Sequence, residues 1–234
     1  MNRVAWVPAF LFALAVPLFL VTASVAWAFN DPGVYNRGFE KYRISLTTGI
    51  TEEDLRHVAG QIRHYFNATD EPLLVKTQVY GEERELFNPR EVQHMRDVKR
   101  LVWWVYAAAA VSGIYLLSAT SWGIVVNGQG FLGVLAQRVI RGVALMGILV
   151  VVAGVFALAG FDTLFLKFHQ LAFANDLWQL DPRRDYLVII FPQGFWLDAT
   201  MRVVALTVAG AVALTLASGG YLIWNRRAER KSGS

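Results

Sequence analysis

Long charge-free runs of apolar residues dominate this 234-residue chain and constrain what it can fold into. A helix needs about 20 such residues to cross a bilayer. Four runs reach that length: Val4–Phe29, Leu101–Gln137, Gly142–Phe161 and Val203–Trp224. Charged residues make up only 17% of the chain, against about 25% in soluble domains. The chain is therefore predicted to be an α-helical integral membrane protein.

The second run is longer than one span requires, and the sequence Asn-Gly-Gln-Gly at 127–130 interrupts it. We predict a span from Leu101 to about Thr120, followed by an interfacial loop or a buried turn. The architecture then has four transmembrane helices and two hydrophilic stretches. Its predicted segments are transmembrane helix 1 (1–29), an outer domain leading into helix 2 (30–100), helices 2 and 3 with their loop (101–161), an aromatic cap (162–202), and helix 4 with a basic tail (203–234).

The distribution of lysine and arginine predicts the orientation, because these residues are enriched in cytoplasmic loops and tails. In a four-span topology the N-terminus, the loop between helices 2 and 3 and the C-terminal tail share one side. Their basic residues are Arg3, Arg138, Arg141, Arg226, Arg227, Arg230 and Lys231. That side is predicted to be the cytoplasm, so the two hydrophilic stretches are predicted to be extracytoplasmic.

The first apolar run resembles a secretory signal, but its length exceeds the roughly 7–15 residues of a signal core. We therefore expect an uncleaved anchor.

The outer domain at 30–100 has the patterns of a small α+β fold. Thr51–Asp54 has the spacing of a helix-capping box. Apolar residues then recur at helical intervals, which predicts a helix over about 52–67. Alternation over Leu73–Tyr80 predicts a strand, with Arg84–Phe87 as its pairing partner.

Aromatic residues concentrate in the second outer stretch. They occupy nine of the 36 positions from Phe161 to Trp196. Leu187–Leu197 carries no charge but is too short to cross a bilayer. Apolar backbone of this kind lies in the interface or packs back against helices. We therefore predict a partly membrane-embedded aromatic cap.

Two of the four histidines lie where the chain meets the membrane. His57 and His64 fall on the amphipathic helix and are predicted to be solvated. His94 lies in a helix that is expected to begin at Pro89 and to run into the second span. Glu91 and Asp97 are one turn from it, and a carboxylate at that spacing can orient an imidazole.

His169 lies shortly after the third span, with Asp176 at helical spacing on the same side. Because the second span starts at the outer face and the third ends there, His94 and His169 are expected at similar depth. Ionisable groups in such a setting are candidates for a functional site. The alternative is that both histidines only anchor helix ends at the interface.

Several kinds of chemistry are excluded by what the sequence lacks. With no cysteine, the chain cannot form a disulfide scaffold, a cysteine-ligated zinc or iron–sulfur site, or a thiol nucleophile. It has no H-E-x-x-H helix, no G-x-S-x-G elbow and no phosphate-binding loop. Any catalysis is expected to be direct transfer assisted by an acid and a base.

Two groups of motifs resemble one known family, the bacterial lipoprotein intramolecular transacylases, over nearly the whole chain. They surround the two interfacial histidines. The matching segments are Glu85–Glu91, His94–Lys99, Phe168–His169, Asn175–Trp178, Asp181-Pro182, Asp185 and Phe191-Pro192. The chain departs from the family at Gln193, where the pattern tends to carry glutamate, so a role for that acid is not carried over.

The resemblance implies a substrate and a location. The family enzyme moves the sn-2 acyl chain of a diacylglyceryl-modified lipoprotein onto the α-amine of its N-terminal cysteine, which yields the lyso form. The expected partners are this lipoprotein and membrane phospholipid, with no nucleic acid, metal or cofactor. The location expected is the bacterial cell membrane, multi-pass, with the active site at the extracytoplasmic face.

Roles for the residues follow as a hypothesis. His169 is taken as the base and His94 as the acid or electrostatic stabiliser, with the reverse assignment left open. Asp97 and Asp176 are expected to orient them. The remaining supporting residues are the oxyanion-donor candidates Asn88, Arg90 and Asn175, together with Glu91, Lys99 and Asp181.

Two other functions fit the same residues. A haem or metal-binding membrane protein could use both interfacial histidines as ligands. A non-catalytic membrane protein could bind a partner through its outer domain.

Overall fold

The computed structural model describes residues 6–157 and 160–232, and over these ranges the chain is mainly helical. The elements in chain order are α1 Trp6–Asn30, α2 Pro32–Lys41, α3 Ile44–Thr48, α4 Glu52–Asn67, β1 Lys76–Val79, β2 Glu82–Glu85, α5 Pro89–Asn127, α6 Phe131–Ala157, α7 Phe161–Ala172, α8 Tyr186–Ile190 and α9 Gln193–Ser232. As predicted, α5 begins at Pro89.

Among the residues that the structure describes, three stretches are long and apolar enough to cross a membrane: Val7–Asn30, Pro89–Val152 and Gln193–Arg230. The second contains both α5 and α6. The chain is therefore helical and membrane-integral, whereas the count of four spans stays a prediction. Arg3 and the predicted span residues at 4–5 and 158–159 lie outside the described residues.

The sequence analysis was wrong to predict a loop directly after Thr120. Helix α5 continues to Asn127, and a single 3₁₀ turn, Gly128–Gly130, separates it from α6. Backbone in an apolar setting has no water to bond with, so the apolar residues after Thr120 continue the helix. Gly128 has a φ of +59°, and glycine adopts that conformation without steric cost.

The chain divides into two compact units. The first comprises 1–24, 106–156 and 204–234, and the second comprises 25–105 and 157–203. Within the first unit, small residues let helices approach closely. A Cβ on Gly142 would lie 2.6 Å from Cβ of Val16, and one on Gly113 would lie 2.9 Å from the Phe19 ring. This packing is typical of helix pairs in membranes.

In the second unit, α4 forms over the predicted residues 52–67. The Thr51 hydroxyl accepts a hydrogen bond from the amide of Asp54 at 3.1 Å, which caps the first turn. The four apolar positions that predicted the helix are all buried: Leu55, Val58, Ile62 and Phe66. Their burial gives α4 its stability, because an isolated helix of this length is marginal in water.

The predicted strand pair is present, with β1 shorter than Leu73–Tyr80 and β2 beginning two residues before the predicted Arg84. Strands β1 and β2 pair antiparallel, with Lys76 opposite Glu85 and Val79 opposite Glu82. Tyr80 and Gly81 both have positive φ, at 53° and 84°, which is the backbone pattern of a type I′ hairpin turn.

Helix α9 starts ten residues before the predicted fourth span, directly after Pro192. Its first turns pack on α2 through buried aromatic rings: the Phe191 and Phe195 ring centroids are 4.9 Å apart, and Phe39 lies 5.7 Å from Phe191. Gly38 of α2 lies against the Phe195 ring, where an added Cβ would come within 2.3 Å of a ring carbon.

We expect Gly38→Ala to lower the free energy of unfolding by about 1–3 kcal/mol, because the buried Phe195 ring has no free volume to enter. The matched control is Gly60→Ala in α4, where an added Cβ meets no atom within 4 Å and better helix propensity should stabilise by about 0.5–1 kcal/mol. Thermal melts in detergent measure both. Equal melting temperatures for the two variants would contradict this account of the α2–α9 packing.

Candidate active site

The N-terminus of α5 is built by a reciprocal cap that sets the position of His94. The Asn88 side-chain oxygen accepts from the amides of Arg90 and Glu91 at 3.0 and 3.1 Å. One Glu91 carboxylate oxygen accepts from the Asn88 amide at 2.7 Å. Pro89 occupies the first helical position, where its missing N–H costs nothing. The arrangement has the geometry of a capping box with asparagine as the cap.

The same residues also bind the chain between α7 and α9. The other Glu91 oxygen accepts from the Leu187 amide at 2.6 Å, and the Asn88 amide group donates to Asp185 at 3.0 Å. We call the four hydrogen bonds that join α5 to residues 175–187 the clamp. Its pairs are Glu91–Leu187, Asn88–Asp185, Arg90–Asp176 at 2.7 Å to the backbone oxygen, and Asp97–Asn175 at 2.9 Å.

Glu91 is the most buried member of the clamp, with 1% of its surface exposed. Burial raises the pKa of its carboxyl, and nearby Asp185 adds to that effect. The two backbone amides that it accepts from oppose the shift because they favour the ionised form. The carboxylate therefore accepts from two backbone donors, one at the cap of α5 and one at Leu187.

The clamp brings His169 of α7 against His94 of α5. Their ring centroids lie 6.2 Å apart with the planes inclined by 35°. Only 6% of His94 and 8% of His169 is exposed. The structure thus brings together the two histidines singled out by the sequence, although they are 75 positions apart along the chain.

A backbone carbonyl determines the tautomer of His169. Its Nδ1 atom lies 2.7 Å from the carbonyl oxygen of Phe165, one turn earlier in α7. A carbonyl oxygen only accepts, so Nδ1 carries the proton and Nε2 of the neutral ring holds a free lone pair. Desolvation lowers the pKa of His169, and the bond to Phe165 opposes that shift. Nε2 is therefore the basic atom of this ring at neutral pH.

His94 differs from His169 in its hydrogen bonding. Among the residues that the structure describes, no partner lies within hydrogen-bond distance of its buried Nδ1. Burial, and then the neighbouring His169, lower the pKa of His94 to about 4, with Asp97 acting in the opposite direction. His94 is consequently neutral at pH 7. A bare lone pair on Nδ1 is less costly to bury than an unpaired N–H, which favours the proton on Nε2.

Aromatic rings surround the pair. The Phe165 ring centroid lies 4.2 Å from that of His169, and Trp178 lies 5.2 Å from it. Phe168 is edge-on to His169 at 5.2 Å, and Phe173 contacts both imidazoles at 5.1 and 5.5 Å. These rings exclude water from the imidazoles, which is the physical cause of the lowered pKa values.

Several supporting residues lie elsewhere than expected. The Asp97 carboxylate bonds to Asn175 and pairs with Arg100 at 3.2 Å. Asp176 is exposed, and its carboxylate accepts from Gln179 at 3.0 Å. The structure therefore assigns the orienting contact on His169 to the Phe165 carbonyl, where the sequence analysis expected Asp176.

The structure also shows the contacts of Lys99, Asp181 and Gln193. Lys99 belongs to a separate cluster with Tyr65 and Glu71. The Asp181 carboxylate accepts from the amide of Arg183 at 3.0 Å and so organises its own loop. Gln193, at the position where the family pattern carries glutamate, donates to Asp162 at 2.7 Å.

The other two histidines are exposed on α4 as predicted, with His64 lying 3.5 Å from Asp70. Over residues 6–157 and 160–232 no three histidine, aspartate or glutamate side chains are grouped as metal ligands.

Sequence reasoning did not identify the Phe165 carbonyl, the Leu187 amide or the buried Asp185 as parts of the site. The i, i+4 spacing of Phe165 and His169 was a visible signal for the first of them. Backbone donors and acceptors carry no side-chain signature, so the Leu187 contact depends on tertiary structure alone.

Comparison with known proteins identifies the family. Residues 10–196 match the family model described as lipoprotein intramolecular transacylase Lit. The chain belongs to this family. Its members are acyltransferases by that description. No curated protein sequence matches the chain significantly.

Solved structures with the same fold come from Bacillus cereus and are of its membrane-integral lipoprotein intramolecular transacylase Lit. One matches with a TM-score of 0.76 and 14% identity, covering 100% of both chains. A variant with one histidine replaced by arginine matches with a TM-score of 0.78 and 13% identity, covering 97% of this chain and 96% of that one. At such low identity these matches support the fold only.

We expect Glu91→Gln to lower the free energy of unfolding by about 1–3 kcal/mol, because the glutamine oxygen can accept from only one of the two backbone N–H groups and its NH2 group would face the other. Glu82→Gln on the exposed strand β2 is the matched control and should melt like the parent protein. Thermal denaturation in detergent measures the difference. A Glu91 variant as stable as its control would show that the clamp does not depend on this carboxylate.

The lowered pKa of His94 predicts a pH-dependent stability. In the unfolded chain histidine titrates near 6.5, whereas His94 in the fold titrates at about 4. Between these values the unfolded chain binds more protons, so stability is lost as pH falls from about 6.5 toward about 4.

Melts of the parent protein from pH 7.5 to pH 4.5 should therefore show a falling melting temperature. His94→Gln should reduce that slope, whereas the control His57→Gln, at an exposed position on α4, should leave it unchanged. An identical slope in all three proteins would rule out His94 as its source.

Proposed function

We propose that this protein transfers the sn-2 acyl chain of a diacylglyceryl-modified lipoprotein to the α-amine of the same molecule's N-terminal cysteine. The product is an N-acyl, S-monoacylglyceryl (lyso) lipoprotein. Membership of the transacylase family supports the reaction class. The observation that carries the mechanism is the buried pair His94–His169, in which one ring presents a free basic nitrogen beside a second, neutral imidazole.

The proposed reaction begins with His169. As the neutral α-amine nitrogen attacks the carbonyl carbon of the sn-2 ester, Nε2 of this residue accepts the proton that the nitrogen loses. An α-amine has a pKa of about 8, so a neutral fraction is present near neutral pH. Bond formation makes the nitrogen acidic enough for a neutral imidazole to accept its proton, although burial lowers the pKa of His169. A C–N bond forms, and the carbonyl oxygen becomes the oxyanion of a tetrahedral intermediate.

The intermediate then collapses. The bond between the carbonyl carbon and the glycerol oxygen breaks, and the leaving oxygen takes the proton that His169 accepted. The product is an isomer of the substrate, so no water, cofactor or second acyl donor enters the balance. Because the amine and ester belong to one molecule, holding them in contact can lower the barrier by roughly 7–11 kcal/mol in well-oriented cases.

We assign His94 to the oxyanion as a neutral hydrogen-bond donor. With its Nδ1 buried and unpartnered in the described chain, the Nε2–H tautomer is favoured and Nε2 can donate. A preorganised donor in a site that excludes water stabilises developing charge strongly. This narrows the sequence-based hypothesis, in which His94 was either an acid or a stabiliser.

The clamp residues are proposed to position the two histidines. Asn88, Arg90 and Asn175 were candidates for oxyanion donors, but each has a side-chain donor engaged by the clamp: with Asp185, with the Asp176 carbonyl and with Asp97 respectively. Their contribution is therefore expected to be the geometry of the His94–His169 contact.

The site is proposed to face the extracytoplasmic side of a bacterial cell membrane, in a four-span topology with an uncleaved first helix. The basic residues of the C-terminal tail support that orientation, as do Arg138 and Arg141, which the structure places within α6 rather than in a loop before it. His94 precedes the charge-free part of α5 by seven residues, or about 10 Å along the helix. That depth suits a substrate whose acyl chains lie in the membrane and whose peptide lies outside.

The proposal is tested by expressing the protein in a host that lacks other lipoprotein N-acylation and analysing lipoprotein N-terminal peptides by mass spectrometry. We expect the lyso form with the parent protein and none with His94→Ala or His169→Ala, because each removes a group from the reacting atoms. The control His57→Ala, exposed on α4, should retain the lyso form.

A folded parent protein that leaves the diacylglyceryl form with its free amine would refute the transacylase function. Full activity in either active-site variant would remove that histidine from the mechanism.

A further inference from the structure

A second candidate binding site lies on the opposite face of α5. A groove of about 490 Å³ is lined by Thr69, Glu71, Lys99, Arg100, Trp103 and Trp104. At 100° per residue, Lys99 and Trp103 lie about 140° and 180° around the helix from His94, and Arg100 and Trp104 lie about 120° and 80° from it on the other side. The six lining residues include neither imidazole and no member of the clamp, although Arg100 pairs with Asp97 of the clamp.

One wall of the groove is rigid. Lys99 is buried, and its ammonium donates to the Asp70 carbonyl at 2.6 Å, pairs with Glu71 at 3.4 Å and lies 4.1 Å from the Tyr65 ring centroid. The Trp103 indole N–H donates to the Phe66 carbonyl at 2.9 Å. The Lys99 ammonium and the Trp103 N–H are already satisfied, so they shape the groove without competing for a ligand. Glu71 also accepts from the Tyr65 hydroxyl at 2.9 and 3.0 Å but keeps part of its surface exposed.

The other wall is available to a ligand. The Trp104 side chain is 74% exposed, and the Arg100 side chain is 62% exposed, paired with Asp97 through one guanidinium nitrogen. Glu71 retains 32% of its side-chain surface. The groove thus presents a guanidinium, a carboxylate and an indole face to one volume.

We propose that this groove binds the headgroup of a phospholipid that carries both a phosphate and a primary ammonium, that is, a phosphatidylethanolamine. A guanidinium suits the phosphate, whereas the indole faces and the carboxylate suit the ammonium. Only a headgroup with a primary ammonium can also donate to the exposed part of Glu71, because a purely anionic headgroup has no cation and a trimethylammonium has no N–H.

The position of the groove identifies the occupant as a lipid. Arg100 is the last charged residue of α5, and the chain then carries no charge until Arg138. Tryptophan and arginine at such a change from charged to apolar sequence are typical of the membrane–water interface. A headgroup held there would leave its acyl chains beside an apolar helix.

The test is native mass spectrometry of the delipidated full-length protein, titrated with dioleoyl phosphatidylethanolamine, phosphatidylglycerol and phosphatidylcholine. We expect phosphatidylethanolamine to be retained preferentially. Trp104→Ala and Arg100→Gln should each weaken its retention by about three- to tenfold, as loss of one cation–π or charge-assisted contact implies. Trp122→Ala, at a tryptophan of the same helix that is 72% exposed, is the matched control.

Equal retention of the three lipids, or Trp104 and Trp122 variants that behave alike, would overturn the proposal. So would displacement of the lipid by free phosphoethanolamine at a similar concentration, since the ligand would then be soluble. Arg100→Gln also removes an ion pair with Asp97, so the result for Trp104→Ala decides whether the groove binds the lipid. Trp104→Ala should still form lyso lipoprotein. A failure of the lipid-binding proposal can therefore be distinguished from a failure of the proposed transacylase function.

Discussion

The structure around the two histidines depends on one buried carboxylate. Glu91 closes the cap of α5 with one oxygen and accepts the Leu187 amide with the other. A carboxylate buried to this degree is costly unless it is hydrogen-bonded, and its two backbone donors provide that compensation. The Glu91 side chain therefore links the start of α5 to the chain segment that follows α7. The distance between His94 and His169 is therefore a consequence of how Glu91 is satisfied.

Burial sets the chemistry of the pair. Aromatic rings remove water from both imidazoles and hold them neutral. A neutral ring can accept a proton or donate a hydrogen bond, whereas an imidazolium could only donate. The Phe165 carbonyl distinguishes the two rings, because it leaves the lone pair of His169 on Nε2. Two histidines thus acquire different hydrogen-bonding capacities from their surroundings.

Helix α5 organises both proposed sites along one axis. Its charged first turns carry His94 on one face and the Lys99–Trp103 wall on the other. His94 precedes the change from charged to apolar residues at Leu101, and the groove lies at that change. On a helix with 3.6 residues per turn, the proposed lipoprotein site and the proposed phospholipid site therefore use different residues at neighbouring heights.

The sequence by itself determined the elements whose causes are local. Apolar run length predicted the long apolar helices, capping chemistry located the start of α4, and alternation located the first strand of the hairpin. It also selected His94 and His169, from their position at the ends of apolar runs and from the family resemblance. Tertiary structure alone decided that the two rings meet, that a backbone carbonyl sets the tautomer of His169, and that Asn88 and Asn175 have their donors engaged in the clamp. The physical reason is that these contacts join residues far apart in the chain, or use backbone atoms that every residue possesses, so no local pattern of side chains encodes them.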